Sequence, residues 1–157
     1  MPFVEWNDTY RTNIEEIDDQ HKQLFDLVNE LHEVMIRAHS GRKARPAVGE
    51  QDTCASALSE LDTIQMVLGE LLDYTVYHFA EEEQQMLVHD YPRYEQHKAA
   101  HEFFVERIRD FQRNFGEGRA VHSADVVTFL ATWLQRHVLV ADQVLGAFLA
   151  EKKSAPA

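Results

Sequence analysis

The chain has 157 residues, of which 45% are hydrophobic, and only 6 are glycines and 4 are prolines. This length and this hydrophobic fraction are enough for one domain with a substantial core. Its 15 Lys and Arg residues against 27 Asp and Glu residues give a formal net charge of −12, which argues against nucleic acid and anionic membranes as partners. Cys54 is the single cysteine, so an intramolecular disulfide and a thiolate-bound metal cluster are both excluded.

The N-terminal segment predicts a non-helical arm, which Trp6 and Tyr10 would pack against the rest of the fold. It lacks the basic and apolar regions of a signal peptide, and no apolar run in the sequence is long enough to span a bilayer. We therefore expect a cytoplasmic protein.

The first predicted helix begins with Asp18 or Asp19 as its N-cap and ends at Ser40-Gly41. Its inward positions recur every three or four residues, which is the spacing of one helix face. They are Ile17, His21, Leu24, Val28, Leu31 and Met35. A longer loop around "GRKARPAVGEQDT" follows, in which we place no element, and Cys54 is expected near the start of the next helix.

Two further helices are predicted in the middle of the chain. The second ends at "HDYP", because proline disfavours the helical conformation in the residue before it, and the third ends at "FGEG". The inward positions of the second are Leu61, Ile64, Leu68, Leu71, Thr75, His78, Glu82 and Met86. Those of the third are Tyr94, His97, His101, Phe104, Ile108 and Phe111.

The fourth predicted helix begins near Ser123, a potential N-cap, and "EKKSAPA" follows it as a frayed tail. Its inward positions are Val127, Leu130, Leu134, His137, Ala141, Leu145 and Phe148. Strand patterns are absent from the sequence. Four amphipathic helices with short connections predict an all-α fold, an up-down-up-down antiparallel four-helix bundle with an N-terminal non-helical arm. We expect one domain, with the arm over about 1–17, the bundle over about 18–151 and the tail over 152–157.

Each of the four inward faces contains a histidine, and the third contains two. One buried histidine is ordinarily satisfied by one hydrogen bond. Five histidines in one bundle need a common partner, because burying an unpaired polar group costs about 1–3 kcal/mol. A metal ion is the simplest such partner. The five are His21, His78, His97, His101 and His137.

The glutamate run Glu81–Glu83 adds a carboxylate to these histidines. On a helical wheel of about 100° per residue, Glu82 falls near the centre of the apolar face and one turn from His78. Glu81 and Glu83 fall toward the edges of that face. We therefore expect Glu82 to point inward and to need a cation, and its two neighbours to be dispensable.

Asp142 is the second carboxylate candidate, although it lies about 140° around an ideal helix from His137. Five histidines and two carboxylates offer nitrogen and oxygen ligands, which suit Fe, Mn or Zn. Seven ligands are too many for a usual mononuclear site. If two octahedral metals share both carboxylates and one oxygen bridge, these three bridges fill six of about twelve positions and the histidines fill five more. One position then stays open on one metal for a small molecule.

The segments "DDQHKQLF", "HFAEEEQQM", "HKAAH" and "HVLVAD" together resemble the hemerythrins, especially the single-domain bacterial hemerythrins (bacteriohemerythrins). The resemblance runs from about Val4 to about Leu149, and it depends on all seven positions in order, since any one fragment is a weak signal. It implies a four-helix bundle around a non-haem di-iron centre, with two Fe ions (Fe²⁺/Fe³⁺) and an oxo or hydroxo bridge. It also implies reversible O₂ binding, for carriage, storage, delivery or sensing, rather than an enzyme.

The resemblance further assigns a role to each site residue. One iron would bind three histidines: His97, His101 and His137. The other would bind His21 and His78 and keep the open position, and Glu82 and Asp142 would bridge the two. An O₂ pocket beside the open position would be lined by Trp133, Leu134 and Val138, which serve equally well as ordinary core residues.

Two other functions remain as alternatives. One is a di-iron oxidase or peroxidase. Ferritin-like enzymes of this kind use Glu-x-x-His motifs, and no glutamate in this chain has a histidine three residues after it. The other is the handling of NO or the donation of iron to iron–sulfur clusters, and related cluster-repair proteins have a cysteine-bearing segment that this sequence lacks. The remaining histidines are interpreted as surface residues: His32, His39, His89 and His122.

Overall fold

The computed structural model describes residues 2–43, 50–118 and 123–154. Within these ranges the chain forms five α-helices and no strand. They are α1 (Glu15–Lys43), α2 (Glu50–Val88), α3 (Tyr94–Gly116), α4 (Ser123–His137) and α5 (Gln143–Ser154). A π-helical turn, Val138–Asp142, joins α4 to α5 into one continuous rod. α1 packs on α2, α2 packs on α3 and α4 packs on α1, which confirms the predicted four-helix bundle.

Two apolar clusters form the core of the bundle, with a layer of polar side chains between them. Along α1, Ile17 belongs to the smaller cluster, Leu24 belongs to the larger one, and His21 lies between them. Along α2, Glu82 has the same position between the two clusters. Each fully buried aliphatic or aromatic side chain stabilises the fold by about 1.5–3 kcal/mol. The clusters therefore hold the helices together on both sides of the polar layer.

The ends of α1 and α2 differ from the prediction. α1 begins at Glu15, so neither Asp18 nor Asp19 is its N-cap. The buried carboxylate of Asp18 instead accepts hydrogen bonds from Thr12 N and Thr12 Oγ1, each at 2.8 Å. α1 also continues past the predicted stop to Lys43. α2 begins at Glu50, so the last part of the predicted loop is helical, while 44–49 lie outside the described residues. Cys54 falls near the start of α2, as expected.

The N-terminal arm is packed against the bundle by the two aromatic residues that were expected to do so. Tyr10 is buried edge-on against Phe25, with ring centroids 5.0 Å apart, and its hydroxyl accepts a hydrogen bond from Gln135 Nε2 at 3.1 Å. Trp6 is half-buried against the larger cluster, and the Lys22 ammonium lies 4.6 Å from its ring centroid. The arm also contains a short 3₁₀ turn, Asp8–Tyr10, so it is not wholly non-helical.

The arm lies close against the bundle at Gly146 in α5. A Cβ at this position would lie 2.5 Å from the Thr12 carbonyl oxygen and 2.7 Å from Thr12 Cβ, so only glycine fits. Gln143 Nε2 donates hydrogen bonds to the carbonyl oxygens of Thr9 and Arg11. These contacts fix the arm across the start of α5, directly after the π-helical turn.

The far end of the rod also differs from the prediction. α5 continues to Ser154, so the first residues of the expected tail are helical, and 155–157 lie outside the described residues. Ser123 is the first residue of α4, but its predicted capping side chain is also outside the described part. In the described segments, no helix is both long and apolar enough to cross a membrane.

Candidate metal centre

All seven side chains predicted as ligands meet in the polar layer, and none is more than 7% exposed. Every part of the bundle contributes to it. The polar layer consists of His21 from α1, His78 and Glu82 from α2, His97 and His101 from α3, and His137 and Asp142 from the α4–α5 rod. The spacing of four residues within α2 and within α3 puts each of those pairs on one helix face.

The π-helical turn explains how Asp142 reaches the polar layer. In an α-helix Asp142 would point away from the direction of His137, whereas π-helical hydrogen bonds join residue i to residue i+5. This wider turn returns the fifth residue to the same face. His137 Nε2 lies 3.1 Å from Asp142 Oδ1, so the poor alignment expected from an ideal helix is wrong for this segment. Such π turns occur frequently at functional sites.

The donor atoms form two groups that share both carboxylates, and within each group they lie within 4.8 Å of one another. We call these groups the three-histidine half and the two-histidine half. The three-histidine half contains His97, His101 and His137, together with Glu82 and Asp142. The two-histidine half contains His21 and His78, together with the same two carboxylates.

Each carboxylate presents one oxygen to each half. Glu82 Oε1 lies 2.9 Å from His78 Nε2, and Glu82 Oε2 lies 3.2 Å from His101 Nε2. Asp142 Oδ2 lies 2.9 Å from His21 Nε2, and Asp142 Oδ1 lies 3.0 Å from His97 Nε2. The two carboxylates therefore stand between the halves in the manner of bridging groups.

These distances are short, but most of the corresponding hydrogen bonds are missing. Neither His78 Nε2 nor His97 Nε2 has a hydrogen-bond partner, and Glu82 Oε2 and both oxygens of Asp142 also lack one. Buried polar atoms are almost always hydrogen-bonded. Lone pairs that converge without bonding to each other fit a metal ion placed among them, and nitrogen and oxygen donors suit Fe, Mn or Zn. The residues present thus fit a metal centre.

The ionisation of the polar layer also indicates a need for a cation. Burial lowers the pKa of His21, but the adjacent carboxylates of Asp142 and Glu82 outweigh it and raise this pKa to about 10. The same two effects act on His97: burial lowers its pKa, but the two carboxylates outweigh burial and raise this pKa to about 9. Burial raises the pKa of Glu82, yet the nearby imidazoles, His78 first among them, lower it well below its usual range. The two carboxylates therefore need a positive charge beside them. Without a metal, protons on the imidazoles would supply it, and a bound metal would take their place, because ligating imidazoles are neutral.

Two residues that the sequence did not identify contact the outer nitrogens of the histidines. His101 Nδ1 donates to Glu83 Oε1 at 3.0 Å, and His78 Nδ1 donates to Gln20 Oε1 at 2.6 Å. Such acceptors fix the ring orientation of metal-binding histidines and increase their basicity. This contact argues against the expectation that Glu83 is dispensable, which stays to be tested by substitution, whereas Glu81 is exposed as expected. The sequence offered one indication of these two contacts, which is that Gln20 and Glu83 each stand directly next to an inward ligand in the chain.

Aromatic rings pack on two histidines of the three-histidine half. Phe79 stacks on His101 with ring centroids 3.7 Å apart and planes 3° from parallel. Trp133 stacks on His137 with centroids 4.5 Å apart and planes 12° from parallel. Both rings restrict the rotation of the imidazoles that they cover.

The three residues predicted to line an O₂ pocket lie next to the polar layer. Leu134 and Val138 are fully buried in the larger apolar cluster, one on each side of His137 in sequence. Trp133 is half-buried and contacts the three-histidine half through His137. The role of these residues as a pocket stays a prediction.

The other residues singled out in the sequence lie outside the polar layer. His32 and His89 are half-buried, and His32 stacks on Phe3 with ring centroids 4.3 Å apart. His122 and the side chain of His39 are outside the described part of the structure. Met35 and Met86 are buried, which confirms them as core residues.

Comparison with known proteins gives the same family from sequence and from structure. Residues 12–149 match the sequence model of the family described as the Hemerythrin HHE cation binding domain. The chain is 32% identical over 150 residues to a bacteriohemerythrin of Methylococcus capsulatus, covering 95% of this chain and 98% of that protein. It is also 32% identical over 143 residues to a bacteriohemerythrin of Stenotrophomonas maltophilia, covering 91% and 79% respectively. The fold is similar to a crystal structure of wild-type hemerythrin, with a TM-score of 0.74 and 31% identity, covering 94% of this chain and 98% of that chain. The chain therefore belongs to the hemerythrin family.

Proposed function

We propose that the polar layer holds two iron ions and that the protein binds O₂ reversibly at one of them. The observation that supports this proposal is the arrangement of Glu82 and Asp142, which each present one oxygen to the two-histidine half and one to the three-histidine half. A mononuclear site would not need both oxygens of two carboxylates to face opposite groups of histidines.

The two halves offer different numbers of ligands. With an oxo or hydroxo bridge as a third shared ligand, the three-histidine half completes an octahedron of about six ligands, and the two-histidine half reaches about five. Two iron ions held in this way supply the electrons and the open coordination position that reversible O₂ binding needs. We therefore place O₂ binding at the two-histidine half, beside His21 and His78.

The apolar cluster next to the polar layer supports the same function. We propose that Trp133, Leu134 and Val138 line the O₂ pocket, because Leu134 and Val138 are fully buried in the same apolar cluster as Leu24, which lies one turn from His21 on α1. Their side chains offer no proton donor apart from the Trp133 indole. An apolar lining keeps water and protons away from the centre, which slows irreversible oxidation of the iron.

We propose a binding protein rather than an oxidase, functioning as a single hemerythrin-like domain. Four carboxylates, as in ferritin-like enzymes, stabilise high-valent iron, and a set of five neutral imidazoles with two carboxylates does so less. O₂ carriage, storage, delivery and sensing all use such a centre, and a cytoplasmic location stays a prediction of the sequence.

Metal analysis and O₂ titration together test the proposal. The purified protein should contain about two irons per chain, as the two donor groups require. The ferrous protein should develop a visible absorption band when O₂ is added and lose it when O₂ is removed. Zinc alone, or one iron per chain, would contradict the di-iron centre. Catalytic consumption of O₂ with added reductant would contradict the binding role.

A further inference from the structure

Burial of the polar layer raises the question of how a cation reaches it. No ligand side chain is more than 7% exposed, so an ion must pass between helices or wait for the bundle to open. One narrow surface cleft has Glu82 in its lining. It lies between the start of α1, the last part of α2 and α5, and it therefore connects the protein surface to a residue of both halves.

Polar side chains make up one part of the cleft lining, and Ile14, Ile17 and Leu149 make up the apolar part. Gln20 and Gln85 are half-buried within it, and the exposed carboxylates of Glu16 and Glu81 lie at its mouth. Gln20 is the residue whose Oε1 accepts the hydrogen bond from His78 Nδ1, so the wall of the cleft continues directly into the two-histidine half.

The size of the cleft restricts what can pass. Its volume is about 20 Å³, which is room for about one water molecule. A fully hydrated divalent cation is larger than this and must lose most of its water to enter. Carboxylate and amide oxygens are suitable replacements for that water, because hard divalent cations prefer oxygen ligands.

A wider acidic groove leads into the cleft. The groove and the cleft share Ile14, Glu16 and Lys153, and the groove adds the carboxylates of Glu15 and Asp19. Its volume is about 730 Å³, which admits a hydrated ion. Clefts lined mainly by one sign of charge raise the local concentration of counter-ions, so this groove attracts cations. The Lys153 ammonium is the one opposing charge in its lining.

We propose that the groove and cleft are the uptake route of the divalent metal, in which Glu16 and Glu81 capture the ion and pass it to Glu82. This inference rests on the proposed function, because it takes Glu82 to be a metal ligand. Glu16 and Glu81 act on the rate of loading only, since neither belongs to the polar layer. Their removal slows metal binding without changing how much metal is finally bound.

Stopped-flow mixing of the metal-free protein with Co²⁺ at low ionic strength tests the route, with the visible absorption of bound Co²⁺ as the signal. The double variant Glu16→Gln/Glu81→Gln should load about five-fold more slowly and reach the wild-type end point. Lys153→Gln should load about two-fold faster, because it removes the opposing charge. Both differences should shrink at high salt, which screens exposed charges.

The matched control is Glu30→Gln/Glu70→Gln, which removes two exposed carboxylates from the same two helices at positions outside the cleft. It should load at the wild-type rate. Equal slowing of the two double variants, or one rate for all variants, would overturn the route and indicate loading through opening of the bundle. Failure of the wild-type protein to bind Co²⁺ or Fe²⁺ at all would overturn the metal centre as well.

Discussion

The two halves of the polar layer share their carboxylates but differ in what holds their histidines. In the three-histidine half, His101 donates to the charged carboxylate of Glu83, and two histidines are covered by stacked aromatic rings. In the two-histidine half, His78 donates to the neutral amide of Gln20, and His21 Nδ1 has no hydrogen-bond partner. An anionic acceptor increases the donor strength of an imidazole more than a neutral one does. For the two metal ions that we propose, the comparison predicts firm binding in the three-histidine half and weaker binding with greater reactivity in the two-histidine half.

The largest loss of bound metal is expected from replacing a carboxylate that both halves share. Glu82→Ala removes an oxygen ligand from both halves and leaves imidazoles without their main counter-charge. We expect the iron content to fall from about two per chain to nearly none. Glu81→Ala is the matched control and should keep its iron, because the Glu81 side chain is exposed. A Glu82→Ala protein that still binds one iron tightly would show that the halves do not depend on a shared carboxylate.

The second-largest effect is a loss of metal affinity that should come from the three-histidine half alone. Glu83→Ala removes the acceptor from His101, and loss of such an acceptor typically lowers metal affinity about 10–100-fold. Competition between the protein and a chelator for Co²⁺ measures this affinity at equilibrium. Glu81→Ala is again the control. If Glu83→Ala and Glu81→Ala have the same affinity, the hydrogen bond to His101 does not contribute.

A smaller effect is expected in the two-histidine half. Gln20→Leu removes a neutral acceptor from His78, so its loss of affinity should be less than the roughly tenfold minimum expected for Glu83→Ala. Gln20→Glu should remove one of the differences between the halves, because His78 would then donate to a carboxylate as His101 does. A more basic His78 favours ferric iron, so the visible band of the oxygenated protein should decay faster in Gln20→Glu than in the wild type. Slower decay would contradict the comparison.

The smallest effect concerns the metal-free protein, in which protons replace metal in both halves. The pKa of His21 rises from 6.5 to about 10 in the folded protein, so the stability that its proton contributes is fully present below pH 6.5. This contribution is lost as the pH rises through about 10. His97 behaves in the same way with a pKa of about 9.

The carboxylates do not alter this trend. The pKa of Glu82 is lowered, so the stability from its ionised form is present above its usual value of 4.5 and does not vary between neutral and alkaline pH. The melting temperature of the metal-free protein should therefore fall by several degrees between about pH 7 and pH 10, more than that of the iron-loaded protein. Thermal melts by circular dichroism measure both. A constant melting temperature in the metal-free protein would contradict the role of these protons.

Helical periodicity located six of the seven polar-layer residues, because buried polar side chains interrupt otherwise apolar faces at the same spacing, whereas Asp142 was included only because the other helices required a metal site. His97 and His101 illustrate this, since a spacing of four residues is enough to put both on one face. Periodicity also separated Glu82 from Glu81. The resemblance to hemerythrins identified the same residues independently.

The features that the sequence did not reveal depend on neighbouring helices or on departures from ideal helical geometry. Asp18 was predicted as a helix N-cap, but its carboxylate accepts hydrogen bonds from Thr12 in the arm instead. Asp142 was poorly aligned on a wheel that assumes α-helical turns, and the π turn corrects its direction. Gln20 and Glu83 reach histidines on other helices, which the wheel of a single helix does not show.

The most direct test of the shared carboxylates is a crystal structure of the iron-loaded protein with an anomalous difference map at the iron edge. We predict two iron peaks in each chain, both within bonding distance of Glu82 and Asp142. One peak should have three histidine ligands and the other should have two. A single peak, or a second iron bound without these carboxylates, would contradict the account.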